Sequence, residues 1–156
     1  MTKPSHEDWM EMALKEAQMA ADKDEVPVGA IVVFENRVYG RGHNRMRSLN
    51  DPTAHAEMIA ITAACNTLGQ SRLENATMYV TLEPCAMCAG AMVLARIKSV
   101  HFGNFDSKSG ACGSVFDVVR DPRLNHRLEV YGGLLANQSL GLLQDFFEEK
   151  RGSKDD

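Results

Sequence analysis

The stretch TMYVTLEPCAMCAGAMVLA, residues 77–95, joins two kinds of secondary structure across a single proline. Residues 77–82 are rich in apolar and β-branched side chains and predict a strand, which Pro84 ends. From Cys85 onward, small and apolar residues favour a helix. A strand that leads directly into a helix is typical of α/β proteins, in which helices cover a largely parallel sheet.

The rest of the chain continues this alternation. A capping box of Ser5 and Asp8 opens the first predicted helix, and Asp51 as cap with Pro52 in the first turn opens the second. These two helices are predicted over residues 5–23 and 53–68, and a strand hairpin is predicted between them, over residues 29–35 and 38–44. The later predicted elements are a strand at 99–103, a short helix at 114–120, a strand at 128–131 and a closing helix at 140–151. We therefore expect a three-layer α/β/α fold around a central five-stranded mixed sheet, with its last two strands parallel.

Length and composition limit the class of protein. A chain of 156 residues that is 44% hydrophobic and 24% charged is typical of soluble proteins, and we expect one domain over residues 1–156. No apolar run approaches the ~18 residues of a membrane span, and the first residues lack a secretory signal, which indicates a cytoplasmic protein with no membrane partner. The net charge of −4 gives no overall attraction to phosphate, so nucleic-acid binding requires a local patch. Candidates for that patch are Arg45, Arg47, Lys108, Arg120, Arg123 and Arg127.

Two short motifs supply metal ligands and an acid–base group. THAE places His55 and Glu57 in the first turn of the second predicted helix, and CAMC places Cys85 and Cys88 on one face of a later helical turn. A helix and a strand separate the motifs, so both helix starts return to one edge of the sheet. One histidine and two thiolates match catalytic zinc, which leaves its fourth position to water. Glu57 is then expected beside that water, as the proton shuttle of a hydrolytic deamination.

Other interpretations of the cysteines explain less of the sequence. A CxxC pair alone is also typical of a redox pair, and Cys65 or Cys112 as a fourth ligand would make the site structural. Neither interpretation explains the histidine and glutamate upstream. Cys65 follows an apolar helical stretch and is predicted to lie in the core, whereas the role of Cys112 stays open. Thiolates with imidazole suit zinc best, although they accept other ions.

The same motifs resemble those of a known family. HAE followed by PCAMC resembles the signature of the cytidine deaminase-like zinc deaminases. From residue 5 to residue 151, the segments EVPVGAIVV, GHNR, DPTAHAE, TLEPCAMCAGAM, FGNFDSKSGACGS and NHR…GG…FFEEKR resemble the bacterial tRNA-specific adenosine deaminases. The resemblance implies conversion of the wobble adenosine in a tRNA anticodon stem-loop to inosine. It also implies a homodimer with one Zn²⁺ per subunit, in which both subunits contribute to each RNA-binding surface.

The resemblance further implies roles for single residues. The zinc ligands are His55, Cys85 and Cys88, the proton shuttle is Glu57, contacts to the flipped base come from Val26, Asn44 and Leu82, and neighbouring nucleotides are held by Asp106 and Lys108. From the residues alone, Asn44 is more often a turn residue and DSKSG is a solvated loop. HAE and PCxxC do not distinguish this activity from zinc-dependent deamination of a free base or nucleoside such as guanine, cytosine or cytidine. A non-catalytic, zinc-stabilised RNA-binding protein is the second alternative.

Overall fold

The structure is a computed structural model that describes residues 2–154. A helix precedes the strand hairpin, and helices separate the later strands as expected, except that no helix lies between the last two strands of the described residues. The elements are α1 (His6–Asp22), β1 (Gly29–Phe34), β2 (Arg37–His43), α2 (Met46–Leu49), α3 (Ala56–Leu68), β3 (Thr77–Leu82), α4 (Ala86–Leu94), β4 (Ser99–Asn104), β5 (Glu129–Tyr131) and α5 (Ala136–Lys154). None of the helices over residues 2–154 has the length and hydrophobicity of a membrane-spanning segment.

The five strands form one mixed sheet in the order β2-β1-β3-β4-β5. β1 is antiparallel to β2 and β3, whereas β3, β4 and β5 run parallel to one another. The predicted hairpin at one edge and the predicted parallel pairing of the last two strands are both confirmed. Four strands therefore end at one edge of the sheet, and α3 and α4, which follow β2 and β3, begin there.

Helices cover both faces of the sheet, because successive side chains along a strand point to opposite sides. Ile31, Val33 and Tyr79 pack with Trp9 and Met10 of α1 in one buried cluster, and α5 packs beside α1. The alternate residues of β1 and β3 pack against α3 and α4 in the other cluster; these include Ala30, Val32, Met78 and Val80. The predicted three-layer arrangement is confirmed.

Two glycines on β2 bring α3 unusually close to the sheet. A Cβ added at Gly40 would lie 2.1 Å from the carbonyl oxygen of Ala60, and one at Gly42 would lie 2.4 Å from that of Ala56. Any larger residue would push the helix backbone away. These contacts set the position of the first turn of α3.

The start of the second long helix was predicted wrongly. α3 begins at Ala56 with His55 as its N-cap, and Asp51 instead accepts the backbone N–H of Thr53 within a turn. The first amide of the helix, on Ala56, donates to Oδ1 of Asn44 at 2.9 Å. A side chain from β2's end therefore replaces the local cap that the sequence suggested.

The predicted short helix at residues 114–120 is also wrong. This segment is irregular, and its Asp117 forms an isolated bridge with Cys112. The amides of Cys112 and Ser114, at the start of the segment, bond to the buried carboxylate of Glu83 instead. Two smaller differences concern α2, which was not predicted, and α5, which begins at Ala136 rather than at residue 140.

Candidate active site

Two helices begin at the same edge of the sheet, each at a predicted metal ligand. His55 is the N-cap of α3 and Cys85 the N-cap of α4, and neither side chain makes a capping hydrogen bond. Both side chains are therefore free to turn toward a common point. The positive end of the helix dipole also favours the thiolate form of a cysteine placed there.

The three predicted ligand atoms have the spacing of a zinc site. Nδ1 of His55 lies 3.6 Å from Sγ of Cys85 and 3.6 Å from Sγ of Cys88, and the three atoms all lie within 4.8 Å of one another. A tetrahedral zinc ion with Zn–S of about 2.3 Å and Zn–N of about 2.0 Å would hold nitrogen and sulfur about 3.5 Å apart. The donors thus fit zinc in chemistry and in distance.

The pKa values of the two thiols also favour binding of a metal cation. A hydrogen bond from Cys88, followed by one from His55, lowers the pKa of Cys85 to about 3. The same Cys85–Cys88 hydrogen bond, with burial, raises the pKa of Cys88. One sulfur is therefore a thiolate, and a divalent cation would favour release of the remaining thiol proton.

Glu57 lies in the first turn of α3, beside the ligands and almost completely buried. Burial raises the pKa of Glu57 to about 7, even though the nearby His55 acts in the opposite direction. A carboxyl group that titrates near neutral pH can accept a proton and return it, as a proton shuttle must. A packing role alone would not explain why this glutamate is buried beside the predicted metal ligands.

These groups open into a cavity of about 160 Å³. Its lining residues are Val26, Val28, Asn44, Met46, His55, Glu57, Leu82, Glu83, Cys85, Asp106 and Ser109. Every predicted site residue therefore lines this cavity except two: Cys88, which is buried but lies against His55 and Cys85, and Lys108, which is exposed on the same loop as Asp106. The volume is well below the ~300 Å³ of common small-molecule sites and suits one heterocyclic ring system.

Asn44 holds two parts of this cavity together. Its Nδ2 donates to the carbonyl oxygen of Val26 at 3.1 Å, while its Oδ1 accepts the first amide of α3. An amide nitrogen carries two hydrogens, so one is left for a ligand. Asn44 is therefore a structural residue that also offers a hydrogen-bond donor.

The DSKSG loop is ordered by its own first residue rather than merely solvated. Oδ1 of Asp106 accepts the backbone amides of Lys108 and Ser109, at 3.0 Å and 3.2 Å, and Oδ2 accepts the hydroxyl of Ser109 at 2.9 Å. This turn keeps Asp106 and Ser109 at the cavity wall. Ser109 was missed because a serine in a polar loop carries no distinctive signal.

Sequence reasoning also missed three other lining residues: Val28, Met46 and Glu83. Val28 and Met46 are apolar side chains, which are usually assigned to the core. Glu83 had a detectable signal, because an acidic residue directly after a buried strand needs hydrogen-bond partners. It is 2% exposed and bonds to the loop that carries Asp106.

The candidate positive patch is partly neutralised by neighbouring acids. Three of its six members form exposed ion pairs: Arg47 with Asp24, Arg120 with Asp117, and Arg123 with Asp121. Exposed pairs of this kind contribute only ~0–1 kcal/mol, so a phosphate can replace the carboxylate at little cost.

Known proteins share both the sequence and the fold. The MafB19-like deaminase family matches residues 4–151. The tRNA-specific adenosine deaminase of Bacillus subtilis is 47% identical over 94% of this chain and 91% of that protein, and that of Agrobacterium fabrum is 49% identical over 92% and 94%. A solved structure from studies of A-to-I editing by tRNA:A34 deaminases at the wobble position of transfer RNA is 48% identical, with a TM-score of 0.84 over 86% of this chain and 98% of that chain. The expected deaminase fold is confirmed, and the chain belongs to the MafB19-like deaminase family, among the tRNA-specific adenosine deaminases.

Proposed function

We propose that this chain hydrolyses the wobble adenosine of a tRNA anticodon loop to inosine and releases ammonia. The observation that carries the proposal is the cavity in which a buried glutamate lies beside a histidine and two cysteines at zinc-ligand spacing. Membership of the family favours adenosine in tRNA over a free base.

The proposed zinc ligands are His55, Cys85 and Cys88, with one Zn²⁺ per subunit. Zinc bound there would polarise a water molecule and lower its pKa toward ~7. Glu57 accepts a proton from the attacking water and delivers it to the departing amino nitrogen. The oxygen of water bonds to C6 of the base, the C6–N bond breaks, and ammonia leaves.

The remaining cavity residues orient the base. Val26 and Leu82 supply apolar walls, and the free amide hydrogen of Asn44 meets an acceptor on the base edge. Because the cavity admits one ring system, the sugar and neighbouring nucleotides stay outside, and the adenosine must be unpaired and turned out of its stack. Asp106 and Lys108 lie where these neighbouring nucleotides would pass.

We extend the proposal to the assembly and location of the protein. Residues 1–156 act as one deaminase domain, and two copies form a homodimer. Apolar side chains outside the core support an interface, since Leu49 is 46% and Leu94 is 78% exposed. Four free cysteines support a reducing, cytoplasmic location. Light scattering of the purified protein tests the dimer, and a monomer at micromolar concentration would contradict it.

The decisive experiment measures substrate and metal together. Zinc-loaded protein is incubated with tRNA bearing an anticodon adenosine, and separately with free adenosine, cytidine, cytosine and guanine, while inosine and ammonia are quantified. Turnover of the free compounds alone would refute the tRNA substrate, and RNA binding without any ammonia would favour the non-catalytic alternative.

A matched pair of variants tests the proton shuttle. Glu57→Gln is expected to retain zinc and to lower kcat by ~10²–10⁴, the usual contribution of acid–base catalysis. Glu129→Gln, an exposed position at the start of β5, serves as the control for the same chemical change. Full activity of zinc-loaded Glu57→Gln would show that another group moves the proton.

A further inference from the structure

Glu83 is a second buried carboxylate at the cavity, between β3 and the N-cap of α4. Its Oε1 accepts the backbone N–H of Asp106 at 3.0 Å and the hydroxyl of Ser114, and its Oε2 accepts the amides of Cys112 at 3.0 Å and Ser114 at 3.1 Å. All four donors belong to one segment, residues 105–114, which we call the rim loop.

Glu83 differs from Glu57 in that all of its hydrogen-bonding capacity is used within the protein. A carboxylate offers about four lone-pair sites, and the rim loop occupies four. Glu83 therefore has no acceptor left for water or substrate, although it lines the cavity. Its role is to shape the site and not to transfer protons.

The rim loop depends on this carboxylate because it has little regular structure. Within the described residues its backbone is held by scattered bonds, such as Gly110 N–H to the carbonyl of Asp106 at 2.9 Å and Ala111 N–H to that of Pro84 at 2.8 Å. A Cβ added at Gly110 would lie 2.4 Å from Cδ of Glu83. The loop is thus wrapped around the carboxyl group, and these charge-assisted bonds hold the turn that Asp106 forms within the loop against the cavity.

The rim loop carries the groups best placed to meet RNA. Asp106 and Ser109 face the cavity, and Phe105 and Lys108 are exposed beside it. We infer that Glu83 is a positioning residue, which sets the affinity for the RNA substrate by holding the rim loop while leaving the metal ligands in place. This inference rests on the proposed function.

The main test replaces the charge without changing the shape. Glu83→Gln turns one acceptor into an NH₂ donor that faces the N–H groups of the rim loop. The zinc content is expected to remain one per chain. KM and the Kd for an anticodon stem-loop are expected to rise ~10- to 100-fold, while kcat stays within about threefold. Ser114→Ala removes one donor only and is the milder variant should Glu83→Gln fold poorly.

Two controls separate positioning from loss of stability. Ile97 lies in the core just before β4, at the end of the sheet opposite the cavity. Ile97→Val lowers the melting temperature without touching the rim loop, and it should leave KM and Kd unchanged. A double-mutant cycle pairs Glu83→Gln with Lys108→Ala. If Glu83 acts through the rim loop, Lys108→Ala must weaken RNA binding less in the Glu83→Gln background than in the unmodified protein.

Unchanged RNA affinity in Glu83→Gln, additive effects in the cycle, or a fall in kcat with constant KM would each overturn the inference. Failure of the unmodified protein to bind or deaminate the stem-loop would instead refute the proposed function, and the inference with it. The two failures are thus distinguished by the unmodified protein alone.

Discussion

Gly42→Ala tests whether the close contact between β2 and α3 positions the proposed catalytic groups. The added Cβ would lie 2.4 Å from the carbonyl oxygen of Ala56 and 2.8 Å from the amide nitrogen of Ala60. An ordinary C···O contact is about 3.3 Å or longer, so the first turn of α3 must retreat by about 1 Å. That turn carries Glu57 and begins at His55.

The expected cost has three parts. Overpacking of this kind destabilises a protein by ~1–3 kcal/mol. A shift of about 1 Å in a catalytic group lowers activity by ~10²-fold, and the same shift weakens zinc binding through His55. Chemical denaturation, competition with a zinc chelator, and kcat/KM on anticodon RNA measure the three effects.

Gly141→Ala is the matched control for this substitution. Gly141 lies in α5, and an added Cβ would have no atom within 4 Å other than those of the adjacent residues and of the helix's own backbone. Because alanine favours a helix more than glycine does, this variant should be stabilised by up to ~1 kcal/mol with unchanged activity. If Gly42→Ala were as stable as the unmodified protein, or were destabilised with normal zinc affinity and kcat/KM, β2 would not set the position of the active groups.

Three further predictions concern a cap, the metal and a buried histidine. Asn44→Leu leaves the first amide of α3 without an acceptor and should lower stability by ~1–2 kcal/mol; an unfolding curve equal to that of the unmodified protein would contradict this. Removal of zinc by a chelator should lower the melting temperature, since the metal binds the folded ligand set, and a melting temperature insensitive to zinc would refute the metal site. Burial, and then the charge of His6, lower the pKa of His101, which is stacked with His6, Tyr79 and Tyr131, to about 4. The unfolded chain takes up that proton near pH ~6.5, so the free energy of unfolding should fall by at most ~3 kcal/mol as the pH drops from 6.5 to 4 and should be unaffected by this group above pH 7. His101→Phe should flatten that decline, and an identical acid profile would show that His101 does not cause it.

The fold could be predicted because its signals are local. Apolar residues at strand or helix spacing identify the elements, and their order requires a sheet with crossovers and helices on both faces. The convergence of the three proposed metal ligands could be predicted as well, since His55 and Cys85 each stand at a helix start and both starts return to one edge. Residue type and spacing were sufficient for this part of the site.

The errors arise where a distant side chain decides the local backbone. Glu25 accepts the amides of Arg47 and Ser48, at 3.0 Å and 2.8 Å, and so supports α2, a helix too short to have a periodic pattern. Asn44 caps α3 in place of Asp51, and Glu83 binds the amides of Cys112 and Ser114 at the start of the segment that was predicted as a helix. A local sequence pattern cannot predict a hydrogen-bond partner that lies 12 to more than 20 positions away along the chain.

These three side chains have a common function in the architecture of the site. Each is buried, and each accepts amides of a segment that lines the cavity: α2 with Met46, the start of α3 with Glu57, and the rim loop with Asp106. The proposed metal-binding motif explains which chemistry is available at the site, but it does not explain which substrate can enter the cavity. The shape of the cavity mouth depends on these hydrogen bonds, so exchanging the three acceptors is expected to change the choice of substrate before it changes the chemistry.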